Sequence, residues 1–165
     1  MTVPHGEAVA DWVDMLADEA QKQWFGRVAV LDAAATLISN LRVWENLILP
    51  VWRRDNVPLA ALEESVNSVF DLAQVAQVQR EKLVMQLPAV LDKAERRLVI
   101  LLRSVLIGPA CVIFEEDQWH DLAARTRDSP HARLFARLQQ SDCLIVVGPS
   151  PAPDGFGRVA IVERG

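Results

Sequence analysis

Two spacings of apolar residues alternate along the chain. Apolar side chains recur three or four positions apart in residues 11–25, 58–88 and 98–107, which predicts helices with a buried face. Short continuous apolar runs lie between these segments, at Val28–Leu31, Cys111–Phe114 and Leu144–Val147. Such runs are typical of strands that are covered on both faces. We therefore predict a mixed α/β domain with a mostly parallel core sheet.

The order of these segments predicts how the domain is organised. The chain has 165 residues, of which 51% are apolar, and this fits a single domain with its own core. We predict a helical subdomain at about residues 41–106 and a core sheet in residues 26–32 and 107–165. The apolar patches at Val3–Val9 and Arg158–Glu163 predict an edge strand and a final strand that pairs antiparallel.

The stretch from Leu87 to Asp117 has clear start and stop signals. Asp92 lies three residues before Glu95, which is the pattern of a capping box and predicts a helix that begins directly after Asp92. Gly108–Pro109 ends that helix, and the next apolar run closes on three acidic residues, Glu115–Asp117. A capped helix followed by a buried strand explains this stretch without any ligand.

The same stretch resembles the ATPase subunits of ABC transporters. Residues 91–95, LDKAE, fall on the LSGGE signature of that family, Arg103 falls on an arginine of the signature helix, and Glu115–Glu116 falls on the Asp-Glu pair that ends the Walker B strand. Residues 39–50, SNLRVWENLILP, match a family segment close to LLSNLTVWENVALPL, and the ending RVAIVERG is similar to RVAVLERG. The match is nearest to the lipid-transport branch. It implies a partial P-loop NTPase sheet with an inserted helical subdomain.

The resemblance also implies roles for a small set of side chains. Glu116 takes the position of the catalytic glutamate. Glu115 and Asp32 are the candidate magnesium ligands, because they fall on the Walker B aspartate and at or beside the Q-loop glutamine. The signature positions, which contact the nucleotide in the family, are held by Asp92, Lys93, Ala94 and Glu95.

Several groups on which hydrolysis depends in the family are replaced. The sequence contains no G-x-x-x-x-G-K-[ST] run and no Gly-Lys pair. Lys93 and Ala94 stand where the family has glycines, the Q-loop glutamine falls on Asp32 or Ala33, and the switch histidine falls on Pro149. Phosphoryl transfer depends on positioning and on electrostatic stabilisation of the γ-phosphate. Loss of the phosphate loop therefore removes the contacts that hold the phosphates, and the other catalytic groups depend on those contacts.

With these replacements, the resemblance implies a degenerate ABC ATPase-like subunit that does not hydrolyse ATP and needs no cofactor. Such a subunit acts through contacts with a permease or an intact ATPase subunit, or as a homodimer, and meets the membrane only through a permease. One alternative is a subunit that retains Mg-ATP with the help of a partner, with Glu115 placing the metal and Glu116 polarising water. Another alternative is a stand-alone scaffold or regulatory module.

Charge and cysteine usage narrow the class of protein. A net charge of −5 leaves no electrostatic footprint for nucleic acid. Both cysteines, Cys111 and Cys143, lie in apolar strand patterns, so buried reduced thiols are expected. The amino terminus has no basic and apolar leader pattern, and no apolar run approaches a membrane span. We expect a cytoplasmic protein that a permease holds at the inner face of the membrane.

Two features are open to more than one interpretation. The carboxylates of residues 115–121, together with His120, have the chemistry of a divalent-metal site, and a solvated helix start is the alternative. Trp44 and Trp52 belong to a segment that, in the family, lies at the groove that receives a short permease helix. We expect at least one of the two rings to be solvent-accessible, and the alternative is that both are buried in the core.

Overall fold

The computed structural model describes residues 8–149 of the protein. Seven α-helices and three strands, all within that part of the chain, confirm the mixed α/β prediction. The elements in chain order are α1 Val9–Gln23, β1 Val28–Leu31, α2 Val43–Asp55, α3 Leu59–Ala73, α4 Gln77–Met85, α5 Lys93–Leu106, β2 Cys111–Glu115, α6 Glu116–Ala123, α7 Pro130–Leu138 and β3 Cys143–Val147, with a 3-10 turn at Pro88–Val90 before α5.

The three strands form one parallel sheet in the order β1-β2-β3. Cys111 in β2 lies level with Val28 on one side and with Cys143 on the other. The predicted final strand at Arg158–Glu163 lies outside the described residues, as do residues 3–7 of the predicted first strand. Ala8 and Val9 are described, and Val9 begins α1.

One face of the sheet carries most of the core. Side chains that alternate along the strands, including those of Ala29, Leu31, Val112 and Phe114, pack against the apolar faces of the helices between residues 43 and 138. The Phe114 ring meets Trp119 of α6 at 5.4 Å between ring centroids and Phe135 of α7 at 5.5 Å, both edge to face. Edge-to-face contacts are the favoured geometry for aromatic pairs, so this cluster joins α6 and α7 to the sheet.

The opposite face is covered by α1. Val13 and Ala20 of this helix pack with Val28, Cys111, Ile113 and Val147 from the three strands. Both cysteines are free thiols, and burial together with the neighbouring Cys143 raises the pKa of the Cys111 thiol to about 12. Cys111 therefore stays protonated and acts as a small apolar side chain, as the sequence predicts.

The helices between residues 43 and 106 begin and end close to their sequence signals. Asn56 ends α2 in the left-handed conformation at φ 47°, and Gly108 follows α5 at φ 61°. The capping box of α5 is confirmed by a 2.7 Å bond from the Glu95 N–H to Asp92 Oδ1. Pro58 is the residue before α3 rather than its first helical residue. The grouping of these helices into a separate subdomain stays a prediction.

None of the helices in residues 8–149 has the length and apolar character needed to cross a membrane.

Candidate functional site

The carboxyl ends of the three strands meet at one edge of the sheet. Because the strands run parallel and in register, Asp32 after β1, Glu115 at the end of β2 and Gly148 after β3 lie along that edge. This is where open parallel sheets of α/β proteins usually place their ligands. Three of the residues singled out from the sequence, Asp32, Glu115 and Glu116, are therefore brought to the same part of the fold.

Glu115 is bound to the loop that follows β1. Its Oε2 accepts the backbone N–H of Ala33 at 2.7 Å, and the two residues are 82 positions apart in the sequence. A carboxylate that accepts a backbone N–H forms a strong, charge-assisted hydrogen bond. The bond holds the Asp32–Ala33 turn against the end of β2.

Glu116 begins α6 and is enclosed on two sides. Its side chain is 12% exposed, and its Oε1 lies 3.3 Å from Nε2 of His120 one helical turn later. The second contact is with Gly148, where a Cβ atom would overlap the Glu116 side chain from its Cβ to its carboxylate. A glycine directly after β3 is thus what allows Glu116 to lie against the neighbouring strand end.

The segment after Glu116 is helical from its first residue. Residues 118–122, QWHDL, fall within α6, and Asp121 of this helix forms a 2.7 Å ion pair with Arg97 of α5. Trp119 is buried under the same helix. A short helix therefore follows β2 directly, with no loop between the two elements.

The four signature positions lie at the start of α5. The Asp92 carboxylate accepts the Glu95 N–H, and the Glu95 carboxylate accepts the Asp92 N–H at 3.1 Å. Lys93 and Ala94 are exposed, and the Ala94 carbonyl accepts a hydrogen bond from Nε2 of buried His131 at 3.0 Å. The two carboxylates of this motif therefore bind each other's backbone, and the arrangement is that of a capped helix.

Metal chemistry finds little support in the described residues. Within residues 8–149, no three side chains of the histidine, cysteine, aspartate and glutamate types are arranged to hold an ion. The acidic segment with His120 forms the start of α6, and its side chains are not arranged as a metal site. The assignment of Glu115 and Asp32 as magnesium ligands stays a prediction.

A separate groove lies among the helices that follow β1. Its volume is about 440 Å³, and it is lined by Arg42, Trp44, Glu45, Glu63, Asn67, Val84 and Met85. Trp52, further along α2, is 51% exposed, so the expectation of at least one accessible tryptophan is confirmed. Trp44 is partly buried against the core beside it.

Asn46 is a site residue that sequence reasoning missed. It is 2% exposed, accepts the Ile38 N–H at 2.7 Å and donates to the Leu41 carbonyl at 2.9 Å. These bonds fold residues 38–42 into the turn that leads into α2 and place Trp44 at the groove. A polar residue on the apolar face of α2 was the signal available in the sequence.

Comparisons with known proteins support the fold. No family model and no curated protein matches the sequence. The ATP-binding cassette MJ0796, in the dimeric form bound to ADP and Pi, superposes with a TM-score of 0.58 at 16% identity, over 81% of this chain and 56% of that chain. A second dimeric structure of MJ0796, a bacterial ABC transporter cassette, gives a TM-score of 0.58 at 15% identity with the same coverage.

The chain thus has an ABC ATPase-like fold, as the sequence predicts, and it spans just over half the length of these cassettes.

Proposed function

We propose that this protein is a degenerate ABC-transporter ATPase-like subunit, in the lipid-transport branch, that does not hydrolyse ATP and acts through contacts with other proteins. The observation that carries the proposal is the set of contacts that two carboxylates make at the end of β2. Glu115 and Glu116 stand at the positions of the metal-placing and catalytic carboxylates. Glu115 accepts the Ala33 N–H, whereas Glu116 contacts His120 and its side chain lies against Gly148 of the same chain. A carboxylate held in this way is not free to orient water at a γ-phosphate.

The start of α5 supports the same proposal. In the resembling family, the backbone of two glycines approaches the phosphate at this helix terminus. Here Lys93 and Ala94 place side chains over the first turn, and the capping box takes up the Glu95 N–H. The chain also lacks a Gly-Lys pair to bind the β- and γ-phosphates. The phosphate-binding groups of the family are therefore replaced at this helix start and missing from the described sequence motifs, which supports a subunit without turnover.

Nucleotide titration and turnover test this proposal. Purified full-length protein is titrated with Mg-ATP and assayed for phosphate release, alone and with a co-encoded permease or ATPase subunit. An intact ABC ATPase serves as the positive control. We expect no turnover above background, weak nucleotide binding at most, and no change in Glu116→Gln. Turnover that disappears in Glu116→Gln would overturn the proposal.

The proposed partner surface is the groove beside Trp44. Arg42, Glu45 and Glu63 give it a polar rim around the Trp44 ring, and exposed Trp52 lies on the same helix. Large, partly exposed aromatic side chains with polar neighbours are common anchors of protein interfaces. A short permease helix docked here would place the subunit at the inner face of the membrane. The two superposed cassettes are both dimeric, so a second copy or an intact ATPase subunit is a further proposed partner.

Hydrogen exchange and tryptophan quenching test this docking surface. In complex with a co-encoded permease, residues 39–54 should exchange more slowly, and the fluorescence of Trp44 and Trp52 should become less accessible to quencher. Trp52→Ala should weaken the complex more than Phe25→Ala, which removes an exposed aromatic ring that lies outside residues 39–54. Equal effects of the two variants, with no protection of residues 39–54, would refute the docking role.

The exposure of Lys93 favours one alternative function, in which the subunit holds Mg-ATP together with a partner. A lysine at the start of α5 has the charge to meet a phosphate bound by a second subunit. In that case, nucleotide would bind only when the partner is present, and Lys93→Glu would abolish binding. Nucleotide binding that is unchanged in Lys93→Glu would exclude this role.

A further inference from the structure

The outer edge of β1 lies open in a groove of its own. Within the described residues, β1 pairs only with β2, because the strand order places it at the end of the sheet. A cavity of about 420 Å³ runs beside it, with Val28, Ala29, Val30 and Asp32 on its floor. An unpaired strand edge is a ready template for pairing with another extended chain.

The register identifies which backbone groups face this groove. The Arg27 carbonyl accepts the Cys111 N–H at 3.3 Å, so Arg27, and two residues later Ala29, turn their polar groups toward β2. The N–H and C=O groups of Val28 and Val30 then point outward. No hydrogen bond from another residue in the range 8–149 reaches these outward groups. An added strand beside β1 would satisfy these outward groups.

The two walls of the groove differ in chemistry. Asp14 and Ala17 of α1 form one wall, while Pro50 and Ile107 form an apolar part of the other. Asp14 lies between Asp11 and Asp18 on α1, at the helical spacing that places all three on one side of the helix. The groove is therefore bordered by an acidic side of α1, of which Asp14 lines the groove itself.

The only positive charge that lines the described groove is Arg103, whose Nη1 donates to the Thr36 carbonyl at 2.9 Å. Asp14 and Asp32, which also line it, form no ion pair with any residue of the described chain. The groove thus carries two carboxylates for one guanidinium, and the guanidinium is already bonded to the backbone. This balance favours a cationic occupant.

We propose that an extended segment of a partner protein, with lysine or arginine at alternate positions, adds to the outer edge of β1 as a fourth strand. Alternate side chains of a strand point to opposite faces, so basic side chains would meet Asp14 while the small apolar ones between them face Pro50 and Ile107. Backbone bonds to Val28 and Val30 supply the pairing. This surface is separate from the groove at Trp44 and does not depend on the function proposed above.

Peptide binding to the full-length protein tests this inference. The probe is a fluorescein-labelled hexapeptide of alternating lysine and valine, followed by anisotropy, and its counterpart with glutamate in place of lysine is the negative control. We expect Asp14→Lys to weaken binding at least about tenfold. Asp11→Lys, on the same helix but outside the groove lining, should have a smaller effect. Hydrogen exchange should show the Val28 and Val30 amides protected by the peptide, with Ala29 unchanged.

Four results would overturn the inference. Absence of binding, or equal binding of the glutamate peptide, removes the basic segment as the occupant. Equal binding of a peptide that is N-methylated along its pairing edge shows that backbone pairing is not used. Val28 and Val30 amides that are fully protected without peptide show that the chain itself fills the groove. If that protection rises with protein concentration, the occupant is a second copy.

Discussion

The start of α5 and the end of β2 carry the two acidic motifs that the resemblance places at a nucleotide. In both, the carboxylates bind the protein itself, but over very different distances in sequence. Asp92 and Glu95 exchange bonds within one helical turn, at 2.7 and 3.1 Å. Glu115 reaches Ala33 across 82 positions, and Glu116 lies against Gly148 of a third strand.

This difference decides what each motif is able to do. The capping box stabilises the first turn of α5 and leaves Lys93 and Ala94 exposed, so that surface stays accessible to another molecule. The end of β2 joins the loop after β1, the start of α6 and the end of β3. A ligand at the end of β2 would have to break contacts among three strands, whereas one at α5 would have to displace two exposed carboxylates at most. We therefore expect the end of β2 to be the more rigid of the two sites.

The largest effect should come from Gly148→Ala. The new Cβ would overlap Glu116, and such overpacking typically costs about 1–3 kcal/mol in the free energy of unfolding. Urea unfolding followed by circular dichroism measures the loss. In a Glu116→Gly background the same substitution should cost much less, because the atoms that it meets are gone. Equal costs in the two backgrounds would show that the loss does not come from overlap between the new Cβ and the Glu116 side chain.

Asp92→Ala should follow, with a loss of about 1 kcal/mol in the free energy of unfolding. The substitution leaves the Glu95 N–H without its acceptor at the start of α5. Asp92→Asn retains a side-chain oxygen that caps a helix equally well and is the matched control. Exchange of the α5 first-turn amides should increase in Asp92→Ala, while residues 32–35 stay unchanged. A change in residues 32–35 would mean that the two motifs are coupled.

The contrast between the two motifs also explains what was predictable from sequence. The capping box, the buried strands and the break at Gly108 each depend on residues within a few positions of one another. Local patterns of this kind are readable directly, and the elements appear where the patterns place them. Boundaries are less certain even so, as Pro58 shows by standing one residue before its helix.

Contacts between residues that are distant in the sequence have no local pattern and could not be predicted. Nothing near Glu115 in the sequence points to the Ala33 N–H, and nothing near Gly148 points to Glu116, because both contacts exist only once the sheet has formed. Asn46 is an intermediate case, since its partners lie four to eight positions away, yet its burial depends on the tertiary fold. The resemblance singled out Glu115 and Glu116 at the end of β2 but did not reveal that the chain itself contacts both carboxylates.

Glu115→Ala should have a smaller effect than either substitution above. The Ala33 N–H that loses its acceptor is exposed, so water replaces the carboxylate, and the net loss should be on the order of 0.5–1 kcal/mol. The clearer readout is local, because the Ala33 amide should exchange faster while the first turn of α5 does not. Glu115→Gln, which keeps an acceptor oxygen, should retain most of the protection. Unchanged exchange at Ala33 in Glu115→Ala would show that the loop after β1 is held by other contacts.

The smallest effect concerns His131, which lies in α7 and donates to the Ala94 carbonyl at the start of α5. Burial lowers the pKa of its imidazole, the nearby Arg125 and Arg97 add to this, and the Ala94 bond and Asp121 oppose it. The folded protein therefore binds the proton more weakly than the unfolded chain, whose histidine pKa is about 6.5. The stabilisation from neutral His131 is complete above that value and is lost as the pH falls through the lower pKa of the folded state.

Urea unfolding of the wild type and His131→Gln between pH 5 and pH 8 isolates this contribution, because other titrating groups are common to both proteins. We expect the difference in the free energy of unfolding to favour the wild type most at neutral pH and to shrink toward pH 5. The same acid range should loosen the first turn of α5, where Ala94 lies, and leave the Ala33 amide at the end of β2 protected. A difference between the two proteins that stays constant with pH would show that His131 contributes packing alone.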